Sequence, residues 1–330
     1  MAASDEMQFA ILGPSGAGKT TLLACMSAEF EEELPGAVFP ADPATFKTLN
    51  MAYNVLMRAA NDPSTREFEN GISSTEDVRD FLFKIKGRRA ELPIKFYDFP
   101  GGWMSPSSPR SDTIIDIVID SAVIIVAINT PYLMELDGKY EAQGCSAEGI
   151  EWILKEALYR DSTKDRLILF VPIKCEKYMT TPEERSNMSR SIRNAFAKTL
   201  ALSSDPVYRD KLAMALVPVQ TVGNAKFRRF KISEDDSVIG EVYRKEAGKR
   251  FSPLNVEQPI RYMMSFLLAQ FAENKKKRSL WQRFWSAIFM EGGLKEIAAY
   301  IRKGIKTDRD PEAGIEIFSG RELIGIPSGC

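Results

Sequence analysis

Apolar positions fall along the chain as short unbroken runs separated by longer stretches in which they recur every three or four residues. The runs at 8–12, 122–128, 167–173 and 212–219 are the length of strands and lack polar alternation, as buried strands do. Each of the last three follows a segment long enough for a helix, so the spacing predicts a doubly wound α/β sheet. Two further strand-like runs, Phe81 to Lys86 and Pro93 to Asp98, are joined by Gly87 to Leu92 as a hairpin. Helices are expected from Ala44 to Ala60 and, with Asn255 as N-cap, from Val256 to about Ala272. After the cationic run 275–278, Leu280, Trp281, Phe284, Trp285, Ile288 and Phe289 make one broad helical stripe. Gly292-Gly293 ends that helix, a second is expected over 294–302, and 314–326 reads as a short hairpin around Ser319-Gly320.

The first apolar run leads directly into Gly13-Pro14-Ser15-Gly16-Ala17-Gly18-Lys19-Thr20, then Thr21 and a helical stretch to Met26. This is G-x-x-x-x-G-K-T between a strand and a helix. The glycines let the backbone curl so that successive N–H groups, together with the positive end of the helix, face phosphate. In such a loop Lys19 reaches the outer phosphates and the Thr20 hydroxyl ligates Mg²⁺. Asp98 ends the second hairpin strand, where a carboxylate beside the loop holds Mg²⁺ through water. Three residues later Gly101 is placed to turn its N–H toward a γ-phosphate.

The P-loop, the antiparallel hairpin and Asp98-Phe99-Pro100-Gly101 as D-x-x-G resemble, over about residues 7–274, the Ras-like (TRAFAC) class of P-loop GTPases. The resemblance implies a G-domain-like α/β fold: a six-stranded, mostly parallel sheet with one antiparallel hairpin strand and helices on both faces. Residues 275–330 would be a small helical and hairpin appendage. Ile173-Lys174-Cys175-Glu176 stands where the class carries N-K-x-D. By resemblance Lys174 covers the guanine ring and Glu176 accepts from its N1–H and N2–H₂, while Ile173 replaces the asparagine that ties this loop to the P-loop. Gly223 and Asn224, within Thr221 to Ala225, fall where the class backs the base. The implied ligands are GTP or GDP and Mg²⁺, the ion held by Thr20, Asp98 and a hydroxyl from the insertion at 34–74 or just after it. Thr75 is the first choice for that hydroxyl, with Ser73, Ser74 and Thr65 open. Long insertions, an altered base motif and a C-terminal extension are similar to bacterial double-GTPase families of conflict and signalling systems.

Composition then narrows the chemistry. Among 330 residues, 44 Lys and Arg balance 45 Asp and Glu, and histidine is absent. The missing histidine removes Ser-His-Asp and Cys-His pairs, the usual zinc cages and any imidazole switch. Near-zero charge gives no global field for nucleic acid, so a phosphate-backbone partner would need a local basic patch, and none is expected to be bound. Cysteines at 25, 145, 175 and 330 show no close spacing, and the acidic N-terminus lacks a signal sequence, which together imply a reduced, cytoplasmic setting. In Ras-like GTPases the residue after D-x-x-G is a water-orienting glutamine; here it is Gly102, and no histidine substitutes. The expectation is therefore a GTP-hydrolysing switch in which Lys19 and Gly101 act on the phosphates, and either hydrolysis is slow or a protein partner, a second protomer or a displaced residue of this chain completes the site. Arg110, in the stretch 103–110, is the first cation to test as a finger. A nucleotide-binding scaffold with little turnover and an ATP-using P-loop enzyme are the other readings. For residues 275–290, docking on the domain or on a protein partner is preferred to peripheral membrane contact.

Overall fold

Central parallel strands must be apolar on both sides, and the runs supply two sets. In β1 (Met7–Leu12), Phe9 and Ile11 belong to one core while Ala10 and Leu12 belong to the other. The same division separates Val123, Ile125 and Ala127 from Ile124, Val126 and Ile128 in β5 (Ser121–Asn129). Alternation is thus present in space although the sequence shows none, because both faces are covered by helices.

The computed structural model describes residues 7–33, 42–69, 78–86, 91–273 and 301–326. β1 is followed by α1 (Lys19–Glu33), α2 (Pro43–Asn61), β2 (Glu67–Glu69) and the hairpin β3 (Arg79–Lys86) and β4 (Glu91–Asp98). Then come α3 (Ser111–Asp120), β5, α4 (Ala147–Arg160), β6 (Arg166–Ile173), α5 (Pro182–Ala195), β7 (Leu212–Leu216), β8 (Ala225–Ile232) and β9 (Val238–Lys245). The chain closes with α6 (Gln258–Glu273) and β10 (Glu316–Ser319).

The main sheet runs β10-β7-β6-β5-β1-β4-β3, parallel throughout its centre, with β3 antiparallel to β4 at one edge and β10 antiparallel to β7 at the other. The α/β class and the antiparallel hairpin stand as expected. The sheet has seven strands, not six, because the C-terminal stretch adds an edge. The hairpin expected over 314–326 is instead this strand followed by a helical turn, Arg321–Ile324. The Ser319 hydroxyl donates to the Leu212 carbonyl (3.1 Å), so the segment pairs with β7 and not with itself.

Outside the main sheet, one element stands as expected and one does not. α2 matches the anticipated helix within one residue at each end, opened by Asp42, whose side chain accepts from the N–H groups of Ala44 and Thr45. A second sheet, β2-β9-β8, was not anticipated. Phe230 of β8 packs on Tyr132 at 4.8 Å between centroids, and Phe68 of β2 stacks on Tyr243 of β9 at 5.6 Å.

Asn255 does not cap a helix at Val256; α6 begins at Gln258. The Asn255 side chain is buried, donating to the carbonyls of Pro218 and Ala313 (both 3.2 Å) and accepting from Lys306 Nζ (2.9 Å). Those partners arrive from outside the local sequence and outcompete a cap. The basic amphipathic stripe at 275–290 lies outside the described residues, as does Cys330.

Residues 301–326 close one core: Ile301, Ile315 and Ile324 join Ile260 and Tyr262 of α6, and the Ser265 hydroxyl donates to the Ile324 carbonyl at 2.6 Å. Ile324 is fully buried. Ile324→Ala is expected to lower stability by about 2–5 kcal/mol through lost contacts and a residual cavity; the urea midpoint measures it, and a loss under about 0.5 kcal/mol, the scale of surface substitutions, would show that this segment is not part of the cooperative core.

Candidate functional site

Parallel pairing of β1 with β4, register Ile11 opposite Asp98, puts Asp98 beside the turn that leaves β1. In that turn the backbone passes so close to β5 that a Cβ on Gly13 would sit 2.7 Å from the Ala127 carbonyl oxygen, and Gly13 has φ 150°. Lys19 Nζ folds back and donates to the carbonyls of Gly13 (2.9 Å) and Pro14 (3.2 Å). The Thr20 hydroxyl donates to Asp98 Oδ2 at 2.8 Å, and Lys19 Nζ lies 3.6 Å from Oδ1, which is buried without a hydrogen-bond partner among the described residues. Gly101 closes the arrangement: a Cβ there would lie 2.0 Å from the Ser15 nitrogen and 2.4 Å from the Pro14 carbonyl carbon. Only glycine permits this approach of the D-x-x-G segment to the P-loop.

Burial governs both charges. It lowers the Lys19 pKa, with the Asp98 charge opposing, and raises the Asp98 pKa, with Lys19 and the Thr20 hydroxyl opposing. Asp98 is fully buried and Lys19 5% exposed, so solvent screens little of this.

From the P-loop a cleft runs past Thr21 to Ile173, Lys174, Glu176, Thr221 and Val222. Its far wall is Val55, Leu56 and Ala59 of α2, Phe68 of β2 and Tyr243 of β9. These wall residues were missed. The insertion helix was visible in the sequence, and the β-prone residues Phe227, Phe230, Val238 and Tyr243 on either side of the polar turn 233–237 were the signal for the hairpin. Glu176 is buried, and its Oε1 accepts from the backbone N–H groups of Val222 (3.0 Å) and Gly223 (3.3 Å). Burial raises its pKa, and those two N–H groups oppose the rise. Lys174, at φ 58°, donates to the Gly16 carbonyl (2.7 Å) and to Glu241 Oε2 (2.6 Å).

The structure therefore brings Gly13 to Thr21, Asp98, Gly101, Lys174 and Glu176 to one place, and sets others aside. Asn224 does not face the cleft; it is fully buried and donates to the carbonyls of Ala60 (3.1 Å) and Lys249 (3.2 Å), tying α2 to the stretch after β9. Gly223 contributes its N–H to Glu176. Arg110 is exposed, precedes α3 and rests 5.3 Å over the Trp103 ring, not in the cleft, because the aromatic face is its nearer partner. Thr65 donates to Asp62 (3.2 Å) and accepts from Lys245 (3.3 Å), away from Asp98. Ser73, Ser74 and Thr75 lie outside the described residues. At Gly102, among the described residues, no atom beyond its own chain neighbours lies within 4 Å of where a Cβ would stand.

No family model matches the chain. An uncharacterized protein of Methanocaldococcus jannaschii is 58% identical over 40 residues, 12% of this chain and 37% of that protein, so the match spans little over a third of the relative. Among solved structures, the chain is similar to the GTP-bound SRβ/SRX signal recognition particle receptor complex of Chaetomium thermophilum, with 14% identity, TM-score 0.37 and coverage of 66% of this chain and 92% of that one. It is also similar to the GTP-bound Ski7 GTPase-like domain of Saccharomyces cerevisiae, with 15% identity, TM-score 0.39 and coverage of 66% and 43%. A third is GDP-bound Roco2 RocCORdC of Methanosarcina barkeri, with 12% identity, TM-score 0.29 and coverage of 66% and 44%.

Holding Lys19 and Asp98 desolvated is a cost to the ligand-free fold. The neutral pair Lys19→Met/Asp98→Asn is expected to raise stability at pH 7 by about 1–4 kcal/mol, as replacement of buried ion pairs often does. Because the folded Asp98 pKa is raised, the carboxylate's share of the cost appears as pH rises through that value and is gone below the unfolded pKa. The variant's advantage should therefore shrink as pH falls toward the carboxylate range. Urea unfolding across pH checks it; a less stable double variant at pH 7 refutes it.

Proposed function

We propose that the chain binds guanine nucleotide with Mg²⁺ and hydrolyses GTP to GDP and phosphate, slowly unless a protein partner or a second copy supplies the group that positions water. One observation carries this reading. Thr20 and Asp98 share a hydrogen bond at the mouth of α1, beside Lys19, and among the described residues a buried Asp98 oxygen is left without a hydrogen-bond donor. That donor set fits a hard cation. Among the described residues no three His, Cys, Asp or Glu side chains cluster to hold a metal by themselves. Thr20 and Asp98 would accordingly hold Mg²⁺ together with water and phosphate oxygens, the usual mode for this ion. When bound, the ion neutralises charge on the outer phosphates. Lys19, now turned onto the loop carbonyls, would extend to those same oxygens, and Gly101 would present its N–H from where it packs on Ser15.

At the other end of the cleft, Lys174 and Glu176 are the groups that favour guanine, Glu176 as the acceptor held by the 222–223 backbone. Residues 7–274 are read as the nucleotide-binding unit, with the insertion at 34–74 forming part of its wall. The buried free thiols of Cys25, Cys145 and Cys175 fit a reduced, cytoplasmic setting. A second reading, a scaffold that holds GTP and scarcely turns it over, is favoured by Gly102, which has no side chain to orient water, and by Arg110, which is occupied by Trp103.

Titration with GTP, GDP, ATP and ADP, with phosphate release followed alongside, separates these. Guanine nucleotides are expected to bind more tightly than adenine nucleotides, and Lys19→Ala to slow phosphate release by roughly 100-fold or more, the scale of losing one preorganised charge-stabilising donor. A specific rate that rises with protein concentration supports completion by a second copy. Equal or tighter ATP binding refutes the guanine assignment, and tight GTP binding without turnover at any concentration leaves the scaffold.

A further inference from the structure

A base-end loop has to be fixed relative to the phosphate loop if one ligand is to meet both, and the side chain at 173 is unable to fix it by hydrogen bonding. Ile173 is buried, and its Cδ1 lies 2.9 Å from where a Gly18 Cβ would stand, so its contact with the P-loop is apolar. The polar connection comes from elsewhere. Lys174, next in the chain, bridges the Gly16 carbonyl (2.7 Å) and Glu241 Oε2 (2.6 Å). Glu241, on β9 of the second sheet, is 2% exposed and accepts two further bonds, from Asn129 Nδ2 to Oε1 (2.6 Å) and from the Tyr243 hydroxyl to Oε2 (2.6 Å). Asn129 is itself the register partner of Ile173 across β5 and β6.

We propose that Glu241 is the positioning residue of the base-end loop: it holds the Lys174 ammonium against Gly16 and so ties the P-loop, β6 and the second sheet into one unit. The assignment rests on the nucleotide reading above. Geometry supports it in two ways. A lysine alone, on a flexible four-carbon stem, is poorly directed; a buried carboxylate with three donors fixes where its ammonium goes. The carboxylate in turn is tolerated in the interior because an ammonium, an amide and a hydroxyl all donate to it. Asn129 acts as an anchor for Glu241, one strand away from the position where the resemblance places an asparagine.

Two measurements test it, one without nucleotide. In the nucleotide-free protein, Glu241→Gln is expected to speed hydrogen exchange of the amides of residues 16–20 by about tenfold, the scale of one lost charge-assisted hydrogen bond, while the β5 and β6 amides keep their protection. In the second, dissociation of fluorescently labelled GDP should accelerate about tenfold in Glu241→Gln but less than about twofold when the same change is made in Lys174→Met, because coupled residues are not additive. Equal acceleration in both backgrounds, or none in either, overturns the proposal, and so does uniform loss of protection across the central strands, which marks a merely structural role. Should Glu241→Gln fail to fold, Asn129→Ala removes the anchor without changing charge, and unchanged exchange at residues 16–20 in that variant overturns the proposal equally. If wild type binds no nucleotide yet the exchange result holds, the tether stands and the nucleotide reading falls.

Discussion

A carboxylate with no solvent exposure at the end of a central strand sets the terms for everything near it. Asp98 is carried there by the pairing of β4 with β1, and its charge is met by Thr20 and Lys19, the first residues of the helix that follows β1. The loop between them must therefore double back, which draws its carbonyls onto Lys19 and its backbone against β5. The chain after Asp98 is held just as closely, because Gly101 lies where any side chain would displace Ser15. Desolvation dominates the pKa of both charges, so the arrangement costs stability in the ligand-free protein. Under the proposed reading, that cost is what a site preorganised for phosphate and a cation carries.

Glu241 plays a corresponding part at the other end of the cleft. It joins the two sheets, since its own strand belongs to the second while its partners Asn129 and Lys174 sit at the C-terminal ends of β5 and β6 in the first. Ligands of open α/β sheets bind outside those ends. Here the opening is walled by the insertion helix α2 and by β2 and β9, so the two elements that lie between α1 and β3 contribute to the site's enclosure as well as to length.

The contrast between Gly13 and Arg110 shows which site residues were legible. Gly13, Lys19, Thr20, Asp98 and Gly101 follow from contiguous spacing and strand ends, because the loop's own backbone geometry demands those residue types at those offsets. Arg110, Asn224 and Asn255 were read from local position, and each was taken by a partner far along the chain or on the neighbouring surface: an indole face, the Ala60 carbonyl, the Pro218 carbonyl. A polar side chain takes the best partner in reach, and reach is a property of the packed structure. Glu241 carried no signal at all, lying 67 residues from Lys174.

By itself the sequence determined the α/β class, the hairpin, the P-loop and its acidic partner, since apolar runs, glycine positions and strand ends act over a few residues. It also determined that this sequence supplies no imidazole and that Gly102 offers no side chain to orient water. Only the tertiary structure decided the seventh strand, the second sheet, the wall of the cleft and the carboxylate that holds Lys174. Each of these depends on which segments distant in sequence bury one another, and that is settled by the summed packing of two cores and the need to satisfy buried charge, not by any local pattern.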